Sequence, residues 1–184
     1  MYRLFVAIDL PDSAKEPLLD MCYGLRGAKW IDDSRMHLTL RFIGEVDGGV
    51  FRDIEEALAT IEIEPFELTV KGVGYFPPRG RPETLWAGVE KNDHLSALRN
   101  KIETVLSRAG LPNEGRKFVA HVQLARLKDT PEEHLARFLQ EYALLRLPPF
   151  MVQEFNLYSS FLSSEKALHQ VEATFPLVGK RSER

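Results

Sequence analysis

His37-Leu-Thr-Leu40 and His121-Val-Gln-Leu124 are two similar segments of a 184-residue chain, and 84 residues (121 − 37) separate their histidines. The same offset brings Pro65-Phe66 onto Pro149-Phe150. Several matches at one shared offset indicate an internal duplication, in which each half forms a similar structural unit. Because no stretch rich in Gly, Ser or Pro separates the halves, we expect two lobes that share one structure.

A second pair of similar segments lies upstream of the histidines. Leu4-Phe-Val-Ala-Ile8 resembles Leu85-Trp-Ala-Gly-Val89, and each segment is followed by an acid, Asp9 or Glu90. Both are short apolar runs of the kind that forms a buried β-strand. They begin 33 (37 − 4) and 36 (121 − 85) residues before their histidines, so an insertion or deletion of three residues separates the two halves there.

Each half shows the same coarse order of predicted elements: strand, helix, strand, helix and then two strands. In the first half, Met36 to Ile43 has the β-branched and aromatic content of a strand, and Val50 to Ile61 has one apolar helical face. We predict an α+β, bilobal, duplicated fold, in which two antiparallel-rich sheets carry helices on the outside and enclose a central cleft. Residues 1–184 are predicted to form one domain, with one motif around 37–40 and the other around 121–126.

Composition and charge exclude several classes of protein. The chain has 24 Lys and Arg against 27 Asp and Glu, a formal charge of −3, which argues against tracking long duplexes through many phosphate contacts. The single cysteine, Cys22, excludes an intrachain disulfide. No segment approaches the length of a membrane span, and the amino-terminal apolar run is too short for a secretory signal. We therefore expect a soluble, cytoplasmic monomer without a membrane partner.

The two histidine motifs are predicted to present polar side chains to one cleft. In a strand, residues i and i+2 face the same side, so His37 lies beside Thr39 and His121 beside Gln123. A histidine on a strand is usually only a hydrogen-bonded core or surface residue. Its occurrence at corresponding positions of both halves favours a shared active site, because a pseudo-twofold axis would bring the two polar edges face to face.

Two imidazoles without carboxylate ligands beside them suit acid–base chemistry on a phosphodiester. Because the histidine pKa is ordinarily about 6.5, one ring can be neutral and the other protonated at working pH. The neutral ring takes a proton from the attacking water, and the cationic ring gives a proton to the departing oxygen. Metal ligation is the rival use, but two histidines without a neighbouring carboxylate make a poor site for a hard cation. We therefore expect no metal.

These residues resemble those of the two-histidine (2H) phosphoesterase superfamily, in particular the bacterial RNA 2′,3′-cyclic phosphodiesterases, long known as 2′-5′ RNA ligases. The resemblance covers nearly the whole chain and rests on Arg3 to Ile8, residues 37–45, Leu85 to Val89 and residues 121–126. It implies a bilobal α+β fold and opening of a 2′,3′-cyclic phosphate to a 2′-phosphate, without metal or other cofactor. It also implies RNA ends or small nucleotides with such a phosphate as partners, and reverse 2′-5′ joining of RNA in some members.

The resemblance also implies roles for individual residues. His37 and Thr39 match the first motif, as proton donor and phosphate ligand, and His121 and Arg126 match the second, as proton acceptor and phosphate ligand. Gln123 departs from the family, where Thr or Ser is usual, although its amide can still donate a hydrogen bond to phosphate. The symmetry of the repeat leaves open which imidazole is the acid. The alternative that Gln123 motivates is a nucleotide- or phosphate-binding module on the same scaffold, with little turnover.

Four further residues and the carboxyl terminus have open interpretations. Arg126 lies five residues after His121, so in a regular strand its side chain faces the opposite side. It shares the face of His121 only if the strand bulges. Arg41 has the same parity as His37 and is a candidate phosphate ligand or a solvated arginine. Phe42 is a candidate to stack a base or to join the core, and His169 is a candidate to line the cleft. The tail Lys180–Arg184 is predicted to be mobile and to add weak affinity for RNA.

Overall fold

The computed structural model describes residues 1–179, which form ten strands and four α-helices. The tail Lys180–Arg184, predicted to be mobile and to aid RNA binding, lies outside the described residues. The strands are β1 (Tyr2–Asp9), β2 (Ala28–Trp30), β3 (His37–Val46), β4 (Phe66–Leu68), β5 (Val70–Phe76), β6 (Thr84–Val89), β7 (His121–Leu127), β8 (Phe150–Val152), β9 (Glu154–Leu162) and β10 (Ala167–Pro176). The helices are α1 (Asp12–Asp20), α2 (Gly48–Leu58), α3 (Asp93–Arg108) and α4 (Glu132–Glu141), and a 3-10 turn covers Asp33–Arg35.

Eight of these strands form one sheet in the order β10-β9-β1-β3-β7-β6-β5, with β2 paired to β7. All of its pairings are antiparallel, so the α+β prediction is confirmed. The prediction of two antiparallel-rich sheets corresponds to sheets of very unequal size, because the pairing of β3 with β7 joins the two sides of the molecule into the large one. The second sheet is small and consists of β4 and β8.

Two strand pairings cross the middle of the molecule. β3 meets β7 where Leu38 lies opposite Val122, and β4 meets β8 where Glu67 lies opposite Met151. Both separations are 84 residues (122 − 38 and 151 − 67), the spacing of the two histidine motifs. A twofold axis between two antiparallel strands brings a residue opposite its own equivalent at one position. These registers favour two pseudo-symmetric lobes, and the single domain of residues 1–184 stays a prediction.

One strand of each sequence half, β5 in the first and β9 in the second, pairs with a strand of the other half. β5 lies beside β6, with Phe76 opposite Thr84, and β9 lies beside β1, with Ser160 opposite Arg3. Neither half could keep these pairings alone, because each would leave an unpaired edge of a buried strand. The exchange explains why the sequence has no linker between the halves.

Helices α2 and α3 cover one face of the sheet with the apolar faces that the sequence predicts. The buried side chains are Ile54 and Leu58 on α2 and Leu95, Leu98, Ile102 and Leu106 on α3. Side chains cap both helices: Asp47 Oδ1 accepts a hydrogen bond from the Val50 amide at 2.9 Å, and Asn92 Oδ1 accepts one from the Leu95 amide at 3.0 Å. Within residues 1–179, none of the helices has the length and apolarity needed to cross a bilayer.

A bulge in β7 changes which side chains face the cleft. Leu85 lies opposite Ala125 and Trp86 opposite Gln123, so Leu124 is an extra residue on β7. An extra residue reverses the alternation of side chains beyond it. Leu124 and Ala125 are accordingly both buried, although they are neighbours on the strand.

The same bulge occurs in β3, 84 residues earlier, at Leu40. It turns Arg41 away from the side of His37, and Arg41 is only 6% exposed. Arg41 Nε donates to Glu103 Oε1 at 2.5 Å, and its other nitrogens donate to the carbonyls of Phe42 and Pro112. The interpretation of Arg41 as a phosphate ligand is therefore wrong, since its charge is fully used inside the protein.

Replacing Arg41 by Ala should destabilise the protein. The change leaves the largely buried Glu103 with Arg99, at 3.5 Å, as its remaining cation and the Glu114 amide, at 3.4 Å, as a hydrogen-bond donor, and breaking a buried ion pair costs about 3 kcal/mol of unfolding free energy. Urea unfolding followed by circular dichroism measures this loss. The control is Arg52→Ala, at an exposed position of α2, where we expect a change below about 0.5 kcal/mol. Equal losses in the two variants would contradict the structural role of Arg41.

Candidate active site

One cavity of about 630 Å³ lies along the junction of β3 and β7. All five residues predicted to form the site line it, and they are His37, Thr39, His121, Gln123 and Arg126. The alternation of side chains along each strand explains why His37 and Thr39 on β3, and His121 and Gln123 on β7, face the cavity. The bulge at Leu124 accounts for Arg126, which otherwise would face away from His121.

His37 is buried at the start of β3, and only 8% of its surface is exposed. Its Nδ1 lies 3.4 Å from Asp9 Oδ1, and the pair is an electrostatic contact, because the alignment is too poor for a hydrogen bond. Its Nε2 lies 3.2 Å from His169 Nδ1, within hydrogen-bond distance. The ring packs on Tyr158, with the centroids 4.6 Å apart. Both nitrogens of His37 therefore face an ionisable group.

Asp9 is the carboxylate that follows the first apolar run. It accepts hydrogen bonds from the Tyr158 hydroxyl and from Asn156 Nδ2, the latter at 3.3 Å. Burial raises the pKa of the Asp9 carboxyl, but the contact with His37, the hydrogen bond from Tyr158 and the charge of Lys15 together lower that pKa below 3.8. Asp9 is therefore a carboxylate near neutral pH, and its negative charge faces Nδ1 of His37.

His169, on β10, lines the same cavity. Its ring meets Phe5 edge-on, with the centroids 4.9 Å apart. Burial and the positive charges of His37 and Arg35 lower the pKa of His169 to about 4, against a weaker opposing effect of Asp32. The open interpretation of His169 is resolved in favour of the cleft, where it is a neutral imidazole near pH 7.

His121 has different surroundings from His37. Its Nδ1 lies 2.7 Å from the Val119 carbonyl oxygen, and because a carbonyl only accepts, Nδ1 carries the hydrogen. A neutral His121 therefore has its lone pair on Nε2. Burial lowers the pKa of His121 below 6.5, although the hydrogen bond to Val119 partly opposes this. Phe76 packs edge-on against the ring at 4.9 Å and Trp86 lies 6.2 Å away.

The acid that corresponds to Asp9 in the second half does not reach His121. Glu90 instead accepts two hydrogen bonds from Arg146, at 2.9 and 3.2 Å. The two imidazoles are therefore equivalent in the repeat but not in their electrostatic surroundings. A carboxylate lies 3.4 Å from His37, whereas burial lowers the pKa of His121.

Phe42 and Arg126 occupy corresponding positions, 84 residues (126 − 42) apart, and both line the cavity. Phe42 is 61% exposed, so it belongs to the cleft and not to the core. The duplication has thus placed an aromatic ring on one side of the cavity and a guanidinium on the other. Sequence reasoning assigned no role to Asp9 or Tyr158; an acid at the end of β1 was the only available signal.

A second cavity of about 280 Å³ adjoins the first and shares Arg35 and Arg126 with it. Lys29, Lys166 and Glu165 also line this second cavity. Four cationic side chains against one carboxylate give its wall a net positive charge. Among residues 1–179, no group of three or more His, Cys, Asp or Glu side chains is arranged to hold a metal ion.

The chain matches one family model in two consecutive stretches. The model describes LigT-like phosphoesterases, and it matches residues 8–86 and residues 88–169. Each stretch contains one of the two histidine motifs.

Curated relatives are similar over nearly the whole chain. An RNA 2′,3′-cyclic phosphodiesterase of Archaeoglobus fulgidus is 32% identical over 171 residues, which cover 91% of this chain and 96% of the relative. An RNA 2′,3′-cyclic phosphodiesterase of Thermotoga maritima is 33% identical over 177 residues, with 92% of each chain covered.

Solved structures share the fold. The crystal structure of TT0787 of Thermus thermophilus superposes with a TM-score of 0.81 and 25% identity, covering 97% of this chain and all (100%) of that one. The crystal structure of E. coli LigT complexed with 3′-AMP superposes with a TM-score of 0.78 and 23% identity, covering 96% and 98% of the two chains.

The lowered pKa of His169 predicts that stability depends on pH. The unfolded chain binds a proton at His169 below about pH 6.5, whereas the folded chain does so only near pH 4, so the unfolding free energy falls as the pH decreases between these values. Urea unfolding at several pH values should show a smaller fall for His169→Gln than for the wild type. The control, His134→Gln at an exposed position of α4, should behave as wild type. An unchanged pH dependence in His169→Gln would disprove this linkage.

Proposed function

This chain belongs to the LigT-like phosphoesterases, a 2H family, and we propose that it hydrolyses the 2′,3′-cyclic phosphate at RNA ends to a 2′-phosphate without a metal. The family resemblance inferred from the histidine motifs is thereby confirmed by the family match. The relatives named above support the choice of reaction. The observation that carries the proposal is that one cavity holds two imidazoles, one beside a carboxylate and the other with its Nδ1 bonded to a backbone carbonyl.

His121 is the proton acceptor in this proposal. Its Nδ1–H is held by the Val119 carbonyl, so the Nε2 lone pair is the one available to a water molecule. Nε2 takes a proton from water as the water oxygen attacks phosphorus. A lowered pKa keeps His121 neutral, and therefore active as a base, near pH 7.

His37 is the proton donor. Asp9 favours the protonated ring, because its carboxylate lies 3.4 Å from Nδ1. The bond between phosphorus and the ribose 3′-oxygen breaks, and this oxygen leaves with the proton of His37. The phosphate stays on the 2′-oxygen, and a proton then returns from His121 to His37 through solvent. The same transfers in the same direction, with an RNA 5′-hydroxyl in place of water, give a 2′-5′ linkage.

Three residues are proposed to bind the phosphate oxygens, where negative charge accumulates in the transition state. Thr39 offers a hydroxyl, Gln123 an amide and Arg126 a guanidinium that can donate two hydrogen bonds. Such donors stabilise the transition state more than the ground state when they are held rigidly. The strands β3 and β7 supply that rigidity, since all three side chains extend from the sheet.

The second cavity supports an RNA strand, rather than a mononucleotide, as the preferred substrate. Arg35 and Lys166 both contact Asp32, at 3.2 and 3.1 Å. Lys29 and Arg126 have no ion-pair partner within residues 1–179, and they lie opposite each other on β2 and β7. Their free charges can bind a backbone phosphate upstream of the cyclic end. Phe42 can stack a base at the other side of the active-site cavity.

The second candidate function is a nucleotide- or phosphate-binding module with little turnover. Gln123 favours it, because its side chain is longer than that of the usual Thr and carries a carbonyl that repels phosphate oxygens. Turnover separates the two candidates. Measurable nucleotide affinity without turnover of a cyclic-phosphate substrate would favour the binding module.

His37→Gln and His121→Gln should each lower kcat by about 10²- to 10⁴-fold, because each removes one proton transfer. The assay follows hydrolysis of an oligonucleotide with a 2′,3′-cyclic phosphate end, in buffer with excess EDTA. His94→Gln, at the start of α3 and outside the cavity, is the matched control and should keep full activity. Loss of wild-type activity in EDTA would overturn the metal-free mechanism.

The dependence of kcat/KM on pH should be bell-shaped. The acidic limb should lie below pH 6.5, because the pKa of His121 is lowered and protonation removes the base only below that pKa. The alkaline limb reports loss of the proton from His37. Asp9→Asn should move this limb to lower pH, because a neutral amide stabilises the imidazolium less than a carboxylate does. A rate that rises steadily into alkaline solution would refute a paired acid and base.

Lys29→Ala should raise KM for an oligonucleotide with a cyclic end and leave KM for 2′,3′-cyclic CMP unchanged. The reason is that Lys29 lines the second cavity and not the first. The slope of log(1/KM) against log[salt] for the oligonucleotide should also become shallower by about 0.7, the value for one contact to a single strand. Lys101→Ala on α3, outside both cavities, is the charge-matched control. Equal changes for both substrates would show that Lys29 does not bind the RNA chain.

A further inference from the structure

We propose that His169 is a positioning residue for His37: before the reaction its Nδ1 accepts a hydrogen bond from Nε2–H of the protonated His37, the departing 3′-oxygen then takes this proton from Nε2, and Nδ1 of His169 afterwards donates a hydrogen bond to Nε2 of the neutral His37. The proposal rests on the proposed function, in which His37 is the proton donor. It explains why the two nitrogens are only 3.2 Å apart within a buried cluster.

The chemistry of a neutral imidazole suits this role. A neutral ring has one N–H and one lone pair, and it can exchange them between Nδ1 and Nε2. Asp9, on the other side of His37, can only accept. His169 can therefore bond to His37 in both of its protonation states, whereas a second carboxylate or a lysine would bond to one state only.

The charged and titratable groups around the pair favour a neutral His169. Asp9 on β1 and Tyr158 on β9 face His37 from the other side. Arg35 and Asp32, before β3, act on His169 with opposite signs. The pKa of about 4 keeps His169 neutral near pH 7. His169 therefore does not carry the transferred proton in place of His37.

The position of β10 in the sheet explains why only one histidine has such a partner. β9 lies between β10 and β1, whereas β5, which corresponds to β9 in the repeat, lies at the edge of the sheet. Within residues 1–179, only an isolated bridge between Arg146 and Lys71 lies on that side of β5, where β10 lies beside β9. His169 therefore reaches His37, while His121 is covered by the ring of Phe76. β10 thus gives His37 a partner that His121 lacks, and this difference distinguishes the proposed acid from the proposed base, which the sequence repeat left interchangeable.

A pair of variants separates hydrogen bonding from packing. His169→Phe keeps a ring but removes both hydrogen-bonding nitrogens, and His169→Gln keeps a donor and an acceptor. For hydrolysis of 2′,3′-cyclic CMP, we expect His169→Phe to lower kcat about tenfold or more, the effect of one hydrogen bond to a charged group. KM should change by less than about twofold, because His169 acts through His37 and not on the substrate. The alkaline limb should move to lower pH, and His169→Gln should restore most of kcat and the position of that limb.

Three results would overturn the proposal: a wild-type kcat and alkaline limb in His169→Phe, a loss confined to KM, or no recovery in a folded His169→Gln. The variants His37→Gln and His121→Gln distinguish this failure from failure of the proposed function. If those two variants retain activity, the proposed function fails. If they lose activity while His169→Phe does not, only the role of His169 fails.

Nitrogen NMR of the wild-type protein tests the proposal without a variant. In ¹⁵N-labelled protein, Nδ1 of His169 should have the shift of a lone-pair nitrogen while His37 is protonated. It should change to the shift of an N–H nitrogen as His37 loses its proton, with His169 neutral throughout. A His169 ring that keeps one tautomer across the titration of His37 would overturn the proposal.

Discussion

The structure depends on the antiparallel contact between β3 and β7, where Leu38 lies opposite Val122. Among the described residues, this is the one pair that the two strands share. Both side chains are fully buried, so the contact is anchored in the core. The residues next to the pair are His37, Thr39, His121 and Gln123, and strand alternation directs them to the opposite face. A single pairing of two apolar residues thus brings both polar edges to one cavity.

The bulges at Leu40 and Leu124 decide which charges enter that cavity. Each bulge follows the two polar residues of its motif, and beyond it the side chains that would face the cavity face the other side instead. In β7 it brings Arg126 to the cavity wall, and in β3 it sends Arg41 into an ion pair on the other face of the sheet. The same type of bulge therefore places a cationic side chain at the cavity on β7 and a buried, ion-paired one on β3.

The two halves have similar backbones, but different charged groups lie around their histidines. Asp9 contacts His37, whereas Glu90, its counterpart, pairs with Arg146. Different surroundings suit acid–base chemistry, because they favour one of the two ways in which a pair of imidazoles can hold a single proton. The repeat supplies the two rings, and different neighbours give them different electrostatic surroundings.

The sequence by itself determined the repeat, the α+β class and which residues of the two motifs share a face. Those features follow from spacing and from alternation along one strand, which are local properties of the chain. It did not determine the single continuous sheet, the burial of Arg41 or the contact of Asp9 with His37. These depend on register between strands far apart in sequence, on two bulges and on a strand, β10, that flanks only one lobe. Only tertiary structure decides such features, because pairing across the sheet sets which charges meet, and the order of residues along the chain does not encode that geometry directly.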